Sequence, residues 1–284
     1  MVARMRDCFL TLLIVVVAGA TIGLSGSVRL AAQAPAGGQT YAPRQTAASQ
    51  PDLRGVWRVW NLAQYDLEDH GAKPGVPAGR GFVVDPPDGR IPYQPWALEK
   101  RRQNYENTKD PDPWKNADPF VKCYQPGIPR LTYIGFPFQI VQTPQYAEFV
   151  YEWSHKKRLV PINTTQPLPA DDDPSNWNGV PRGRFEGNSL VVTVTHFNGA
   201  TWFDMAGNFH SDALQVVERY TPINADTLQY EATMTDPKVF TRPWTIRVAI
   251  QRQKDIGLLD YECTAMLDEM GIHHTWPRDF DVAK

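Results

Sequence analysis

Most of the features that announce a protein's chemistry are missing from this sequence. Charge of one sign is missing: 29 lysines and arginines stand against 31 aspartates and glutamates, a net charge of −2. No basic surface is therefore on offer to nucleic acid or to anionic lipid. A glycine-rich loop able to cradle phosphate is missing, and so is the strand-to-helix elbow that presents a nucleophilic serine. Serine and cysteine nucleophiles have no support. Compact metal motifs are missing too: His155, His196, His210 and Glu218 follow no ligand spacing. The acidic run at 171–174 lacks the spaced oxygen ligands and the glycine of a calcium loop. No metal and no cofactor is expected. Internal repeats and low-complexity segments are also absent. Cysteine is scarce, with three in 284 residues.

What is present begins with a leader. Arg4 and Arg6 precede an apolar run from Phe9 to Leu24, and the small residues Ala34, Pro35 and Ala36 follow. This layout predicts a signal peptide over 1–36, a mature chain starting at Gly37, and a secreted or periplasmic protein with no membrane span after cleavage. The competing reading is an uncleaved anchor, because the apolar run is near the shortest length that spans a bilayer. Cys8 would leave with the leader. Cys123 and Cys263 remain, a pair in an oxidising compartment, which predicts a disulfide or, failing that, two separate buried thiols. Residues 37–51 lack periodicity and read as a flexible tether. Residues 52–284 have the length of one well-buried domain.

That domain changes texture midway. From Pro51 to Pro144 it is crowded with proline and aromatics, which interrupt both helices and central strands. Short strands and long ordered loops are expected there, with one charged surface helix starting near Pro95, since proline suits a first helical turn. From Tyr146 onward the period is two. Leu190, Val192 and Val194 share a face; so do Leu214, Val216 and Tyr220, then Leu228, Tyr230, Ala232 and Met234, then Ile246, Val248 and Ile250. Each strand is wet on one side and buried on the other. Gly187 and Asn188 supply a two-residue hairpin turn, and 224–226 and 236–244 carry further turn signals. The expectation is an all-β fold, an antiparallel meander closing as a lipocalin- or calycin-like barrel. Around the segment 151–161, Phe149, Tyr151 and Trp153 read as core. Glu148, Glu152, His155 and Arg158 read as a wet face.

Two residues break the alternation. His196 falls on the leucine and valine face of its strand, and Glu218 falls on the apolar face of Leu214, Val216 and Tyr220. The loop between them, 198–213, is far longer than a hairpin needs and carries Asp204 and His210. If the strands pair, His196, Glu218, Asp204 and His210 converge at one barrel mouth, a common place for a small ligand. A desolvated glutamate beside a histidine suits general acid and base work. The structural alternative buries Glu218 against Arg182, Arg184 or another arginine, and has His196 donate to a backbone carbonyl. Trp202, Tyr220, Tyr230 and Arg184 are the candidate ligand contacts.

The stretches PDLRGVW (51–57), GIPR (127–130), IVQTP (140–144), GRFEGNSLVV (183–192), SDALQVVERY (211–220) and DPKVFTRPW (236–244) together resemble a large group of secreted bacterial proteins from soil organisms. The likeness spans nearly all of the mature chain. A more usual hairpin in that group reads tryptophan, glutamate, glycine, aspartate; here Phe185 and Asn188 replace the first and last. The resemblance implies secretion and carries no activity. The residues themselves lead to an exported, cofactor-independent lyase, isomerase or hydrolase acting on a small organic or carbohydrate-derived molecule. The alternatives are a non-catalytic lipocalin-like binding protein using the same cavity, and an envelope protein with a filled core. The partner in the first two is a small molecule. Substrate and oligomeric state are not encoded in these patterns.

Overall fold

The computed structural model describes residues 41–73, 76–109, 118–166 and 176–264. The expected leader, 1–36, and the acidic run at 171–174 lie outside them. Ten strands form one antiparallel sheet: β1 (Gly55–Arg58), β2 (Val83–Asp85), β3 (Phe138–Gln142), β4 (Tyr146–Tyr151), β5 (Lys157–Pro161), β6 (Val180–Glu186), β7 (Ser189–Thr195), β8 (Gln215–Asn224), β9 (Thr227–Thr235) and β10 (Trp244–Gln253). Their order is β5-β4-β3-β1-β10-β9-β8-β7-β6, with β2 pairing β10 beside β1. Two meanders, β3 to β5 and β6 to β10, are thus joined through β1. Helix α1 (Pro95–Asn107) starts at the expected proline, and a single turn of helix, α2 (Arg130–Tyr133), precedes β3.

Strict alternation fixes the inner face. Along β7 to β10 the buried side chains stack in rungs set by the register. Val194, Val216, Met234 and Trp244 form one rung; Val192, Glu218, Ala232 and Ile246 the next; Leu190, Tyr220, Tyr230 and Val248 the third; Pro222, Leu228 and Ile250 the last. Phe138, Ile140, Phe149 and Tyr151 of β3 and β4 supply the facing wall.

The expected closed barrel is corrected. The ladder path is open, and its edge strands β5 and β6 meet at one bridge, where the Asn163 N–H donates to the Gly183 carbonyl at 2.8 Å. Pro161 and Pro181 stand on these strands without an N–H to donate, which works against a continued ladder. Gly183 permits even this approach: a Cβ there would lie 2.7 Å from Ile162 Cδ1 and 2.8 Å from Val160 Cγ1. The expected tether over 37–51 is described only in part. Its described part, from Tyr41, forms a turn in which Gln45 bridges Pro51 and the Thr46 N–H donates to Gln50 O at 2.8 Å.

One end of the sheet is filled. The 198–213 loop folds over it, with Phe203 edge-on to Trp244 at 5.4 Å between centroids. Helix α1 covers the loop: Asn104 Nδ2 donates to Gly207 O at 3.2 Å, and Gly207, at φ +84°, packs so closely that a Cβ would meet Arg101 O at 2.7 Å. The helix is held by these polar contacts, since its apolar content is low and only Ala97 and Asn104 are buried.

Cys123 and Cys263 form a disulfide, with Cα atoms 5.5 Å apart and 140 residues between them in sequence. It ties the segment after β10 to Cys123, at the end of the helical turn Pro119–Lys122, while the same segment packs on the β4–β5 turn, Tyr261 on Trp153 at 5.1 Å and the Leu259 N–H donating to Glu152 at 2.9 Å. Glu152 is therefore a buried anchor and not a member of a wet face. Closing so long a loop constrains the unfolded chain strongly. Cys263→Ser is expected to cost about 2–4 kcal/mol, read as a lower denaturant midpoint under oxidising conditions.

Candidate functional site

The two pattern breakers meet different fates. Glu218 does point inward and is wholly buried, and its partner is Arg158, whose Nη2 donates to Glu218 Oε2. The Tyr220 and Tyr230 hydroxyls donate to Oε1 at 2.9 and 2.8 Å. Burial works against the Arg158 charge, and Glu218 with the surrounding hydroxyls more than restores it, so its proton affinity is raised above the usual arginine value. Burial, then the Glu218 carboxylate, push Tyr220 and Tyr230 well above the ordinary phenol range. Burial likewise lifts Tyr151 to about 12, against the opposing pull of Arg158. Three donors here have no well-formed bond: Arg158 Nε and Nη1, and the Tyr151 hydroxyl. The arginine expected on a wet face is thus the core partner of the glutamate, and Arg182 and Arg184 are not. Arg184 is exposed and pairs with Glu186.

His196 is corrected. Strand β7 ends at Thr195, and His196 follows with φ +61°, a left-handed conformation that breaks the alternation. Its Nδ1 lies 2.7 Å from Thr195 Oγ1, the neighbour off the apolar face, and the residue is half-buried. The strand's alternation therefore ends before the imidazole.

Asp204 and His210 organise their own loop. Asp204 Oδ1 accepts from the Ala206 and Asn208 N–H groups at 3.0 and 3.2 Å; Oδ2 accepts from the Leu67 N–H at 2.9 Å and from Asn208 Nδ2 at 2.6 Å. Burial, reinforced by the Asp66 carboxylate, pushes Asp204 up to about 7, with the Asn208 and Leu67 donors opposing. His210 Nδ1 donates to Ser211 O at 2.8 Å, which leaves Nε2 to accept from the Thr201 hydroxyl at 2.7 Å. Burial pulls its proton affinity below the ordinary value. Among the described residues Asp204, His210 and Glu218 bond to different partners, and Phe197 and Phe203, the chain neighbours of His196 and Asp204, both pack on the His210 ring at 5.5 and 5.2 Å. Of the expected ligand contacts, Tyr220 and Tyr230 serve Glu218, and Trp202 is a buried residue bridging Phe209 within the loop.

An opening occurs at the opposite end. Beyond the Pro222, Leu228 and Ile250 rung lies a cavity of about 350 Å³, between the start of β1, the β8–β9 turn and the end of β10. Trp57, Leu228 and Pro222 line its apolar part, and Arg44, Arg54, Arg252, Lys254, Asp52 and Asp226 its charged part. None of the four expected catalytic residues lines it. The residues that build it were visible in PDLRGVW, the β8–β9 turn and the tail of β10, where charges at strand ends carry no periodic signal. Among the described residues, no three His, Cys, Asp or Glu side chains are grouped as metal ligands. Comparison of the chain with protein-family models, with curated proteins and with solved structures gives no match.

Removing one member of a buried ion pair strands the other. Arg158→Met and Glu218→Gln are each expected to cost about 3–5 kcal/mol in equilibrium unfolding, whereas His196→Ala at a half-exposed site costs under about 1 kcal/mol. The double variant Arg158→Met/Glu218→Met recovers part of the loss, the two tyrosine hydroxyls still lacking their acceptor. Protonation gives a second check. His210 is held neutral in the fold while the unfolded imidazole titrates near 6.5, so its contribution is present above about pH 6.5 and is lost as pH falls below. Asp204, raised, contributes in the opposite sense, its stabilisation lost as pH rises from about 4 toward 7. The comparison must therefore be with a variant: the stability advantage of wild type over His210→Gln shrinks between pH 7.5 and 5.

Proposed function

We propose that the protein is an exported, non-catalytic binding protein that takes a small molecule into the open end of a barrel-like sheet, secreted or periplasmic as its leader and disulfide imply. The observation that carries this reading is the cavity of about 350 Å³ at the end of the inner face, a volume in the range of small-molecule sites. Its lining is mainly polar and charged, with the largely buried Trp57 and Leu228 at the floor, which suits a small ligand held chiefly by polar groups. The acid–base enzyme reading needs at least two titrating groups free at one cavity wall. Asp204, His210 and Glu218 are buried with their lone pairs and protons engaged, and His196 Nδ1 is engaged by the Thr195 hydroxyl. Binding without chemistry fits that distribution better.

The test is thermal unfolding of the mature protein with a panel of small organic molecules, run beside Ala225→Trp. Ala225 is exposed on the cavity rim, so the indole obstructs the cavity while the unliganded stability changes by under about 0.5 kcal/mol. A ligand at a hundredfold excess over its Kd is expected to stabilise wild type by about 2.7 kcal/mol and the variant little. A panel without effect, or an effect undiminished in Ala225→Trp, would overturn the reading.

A further inference from the structure

Resting on that reading of the end cavity, we infer that its ligand is a small organic anion, a carboxylate or phosphate group on a compact apolar body. The first observation is local charge. Arg44, Arg54, Arg252 and Lys254 face only Asp52 and Asp226 around the cavity, an excess of two positive charges in a chain whose net charge is −2. Two of these cations are answered within the protein. Arg54 donates from both Nε and Nη2 to Asp52 at 2.8 Å, and Lys254 Nζ donates to Asp226 at 2.7 Å. The carboxylates are then spent, Asp226 retaining only a longer approach of 3.8 Å to Arg252.

The second observation is that Arg252 is built into place. Its guanidinium lies over the Trp57 ring at 4.1 Å, its Nε donates to Ala225 O at 3.0 Å, and its Nη1 donates to Arg54 O at 2.8 Å. Gly55 makes room for it: at φ +137° and without a side chain, it leaves the space where a Cβ would fall 2.3 Å from Nη1. The side chain is 24% exposed, and among the described residues Nη2 has no hydrogen-bond partner. A planar guanidinium oriented by neutral carbonyls and a ring, with one donor edge toward a cavity, is arranged to receive an anion. The Arg44 carbonyl accepts from the Asp52 N–H at 2.8 Å, while its side chain lines the same cavity with no hydrogen bond or ion pair among the described residues, so its charge is available to a second oxygen of the same group. The apolar body of the ligand rests on Leu228 and Pro222. Carboxylate and phosphate share this chemistry, and the measurement separates them.

Titration calorimetry on the mature protein with phenyl phosphate, benzoate, benzamide and inorganic phosphate decides the matter. At least one of phenyl phosphate and benzoate is expected to bind, more tightly at low salt, with benzamide weaker by about tenfold or more. The better anion identifies the head group, and inorganic phosphate binding weakly shows the share of the apolar body. Arg44→Gln should weaken the anion by about tenfold without altering the unfolding midpoint, because the bond that Arg44 makes in the fold is through its backbone carbonyl, which glutamine keeps. Arg184→Gln, remote from the cavity, should leave affinity unchanged. Arg252→Gln should abolish binding, and Arg44→Gln carries the test should that variant fold poorly. Equal binding of benzamide and benzoate, both blocked by Ala225→Trp, would overturn the anion inference and leave the binding reading standing. Anion binding unaffected by Arg44→Gln and by Ala225→Trp would also overturn it. Absence of binding by all four probes would overturn it as well, and the panel with Ala225→Trp then decides the broader reading separately.

Discussion

The arrangement of this protein depends on one charge pair laid across the inside of its sheet. Arg158 comes from β5 and Glu218 from β8, strands that do not pair with each other and that lie at opposite parts of the ladder. Among the described residues, strand pairing connects the two meanders through β1 and through a bridge at the edges. The ion pair, with Phe149 against Tyr220 at 5.2 Å, ties them through the core. Burying both charges costs several kcal/mol for each, and the two tyrosine hydroxyls on Glu218 are what makes that burial tolerable. A contact of this kind also fixes register. Slipping β5 by one residue would turn Arg158 out and Leu159, now 53% exposed, in.

The two ends of the sheet differ because their connections differ. Between β7 and β8 the chain has enough residues to fold its own small core, organised by Asp204 within and anchored by Asp236, which accepts from the Ser211 N–H and hydroxyl at 2.7 and 2.9 Å. That loop fills the end with Phe203 and His210. Between β8 and β9 the turn is tight, and nothing from it reaches over the last rung. The long loop, which on sequence grounds carries the greater functional interest, therefore acts as a plug. The short turn leaves the opening.

Legibility follows the same physics. The inner faces of β7 to β10 could be read residue by residue, because every second side chain is buried and the turns between them carry their own chemistry. Glu218 was legible as a polar residue facing in; its partner was not. In Lys157–Pro161 the exposed Leu159 and the buried Arg158 reverse the hydrophobic order, so alternation assigns the wrong face. His196 misled for another reason. Periodicity extrapolates a strand without marking where it ends, and the left-handed turn after Thr195 leaves no sign in composition. The disulfide pairing followed from compartment and parity, while the open ladder between β5 and β6 depended on an approach between distant segments.

A buried titratable group and a functional one look alike in sequence and part company in their hydrogen bonds. A group that is to exchange a proton or hold a ligand must keep a donor or acceptor that the fold does not use. Asp204 has all its principal acceptor positions taken by four donors, His210 has both nitrogens bonded, and Glu218 accepts from an arginine and two tyrosines. Such groups specify structure, and the proton affinities that burial shifts at Asp204 and His210 are a consequence of that confinement. Arg252 is the reverse case. Its position is over-determined by Trp57, Gly55 and two carbonyls, yet one edge of the guanidinium is unused and faces a space large enough for a molecule. Rigidity combined with an unspent donor is the arrangement that lets a side chain contribute to binding without reordering when the ligand arrives.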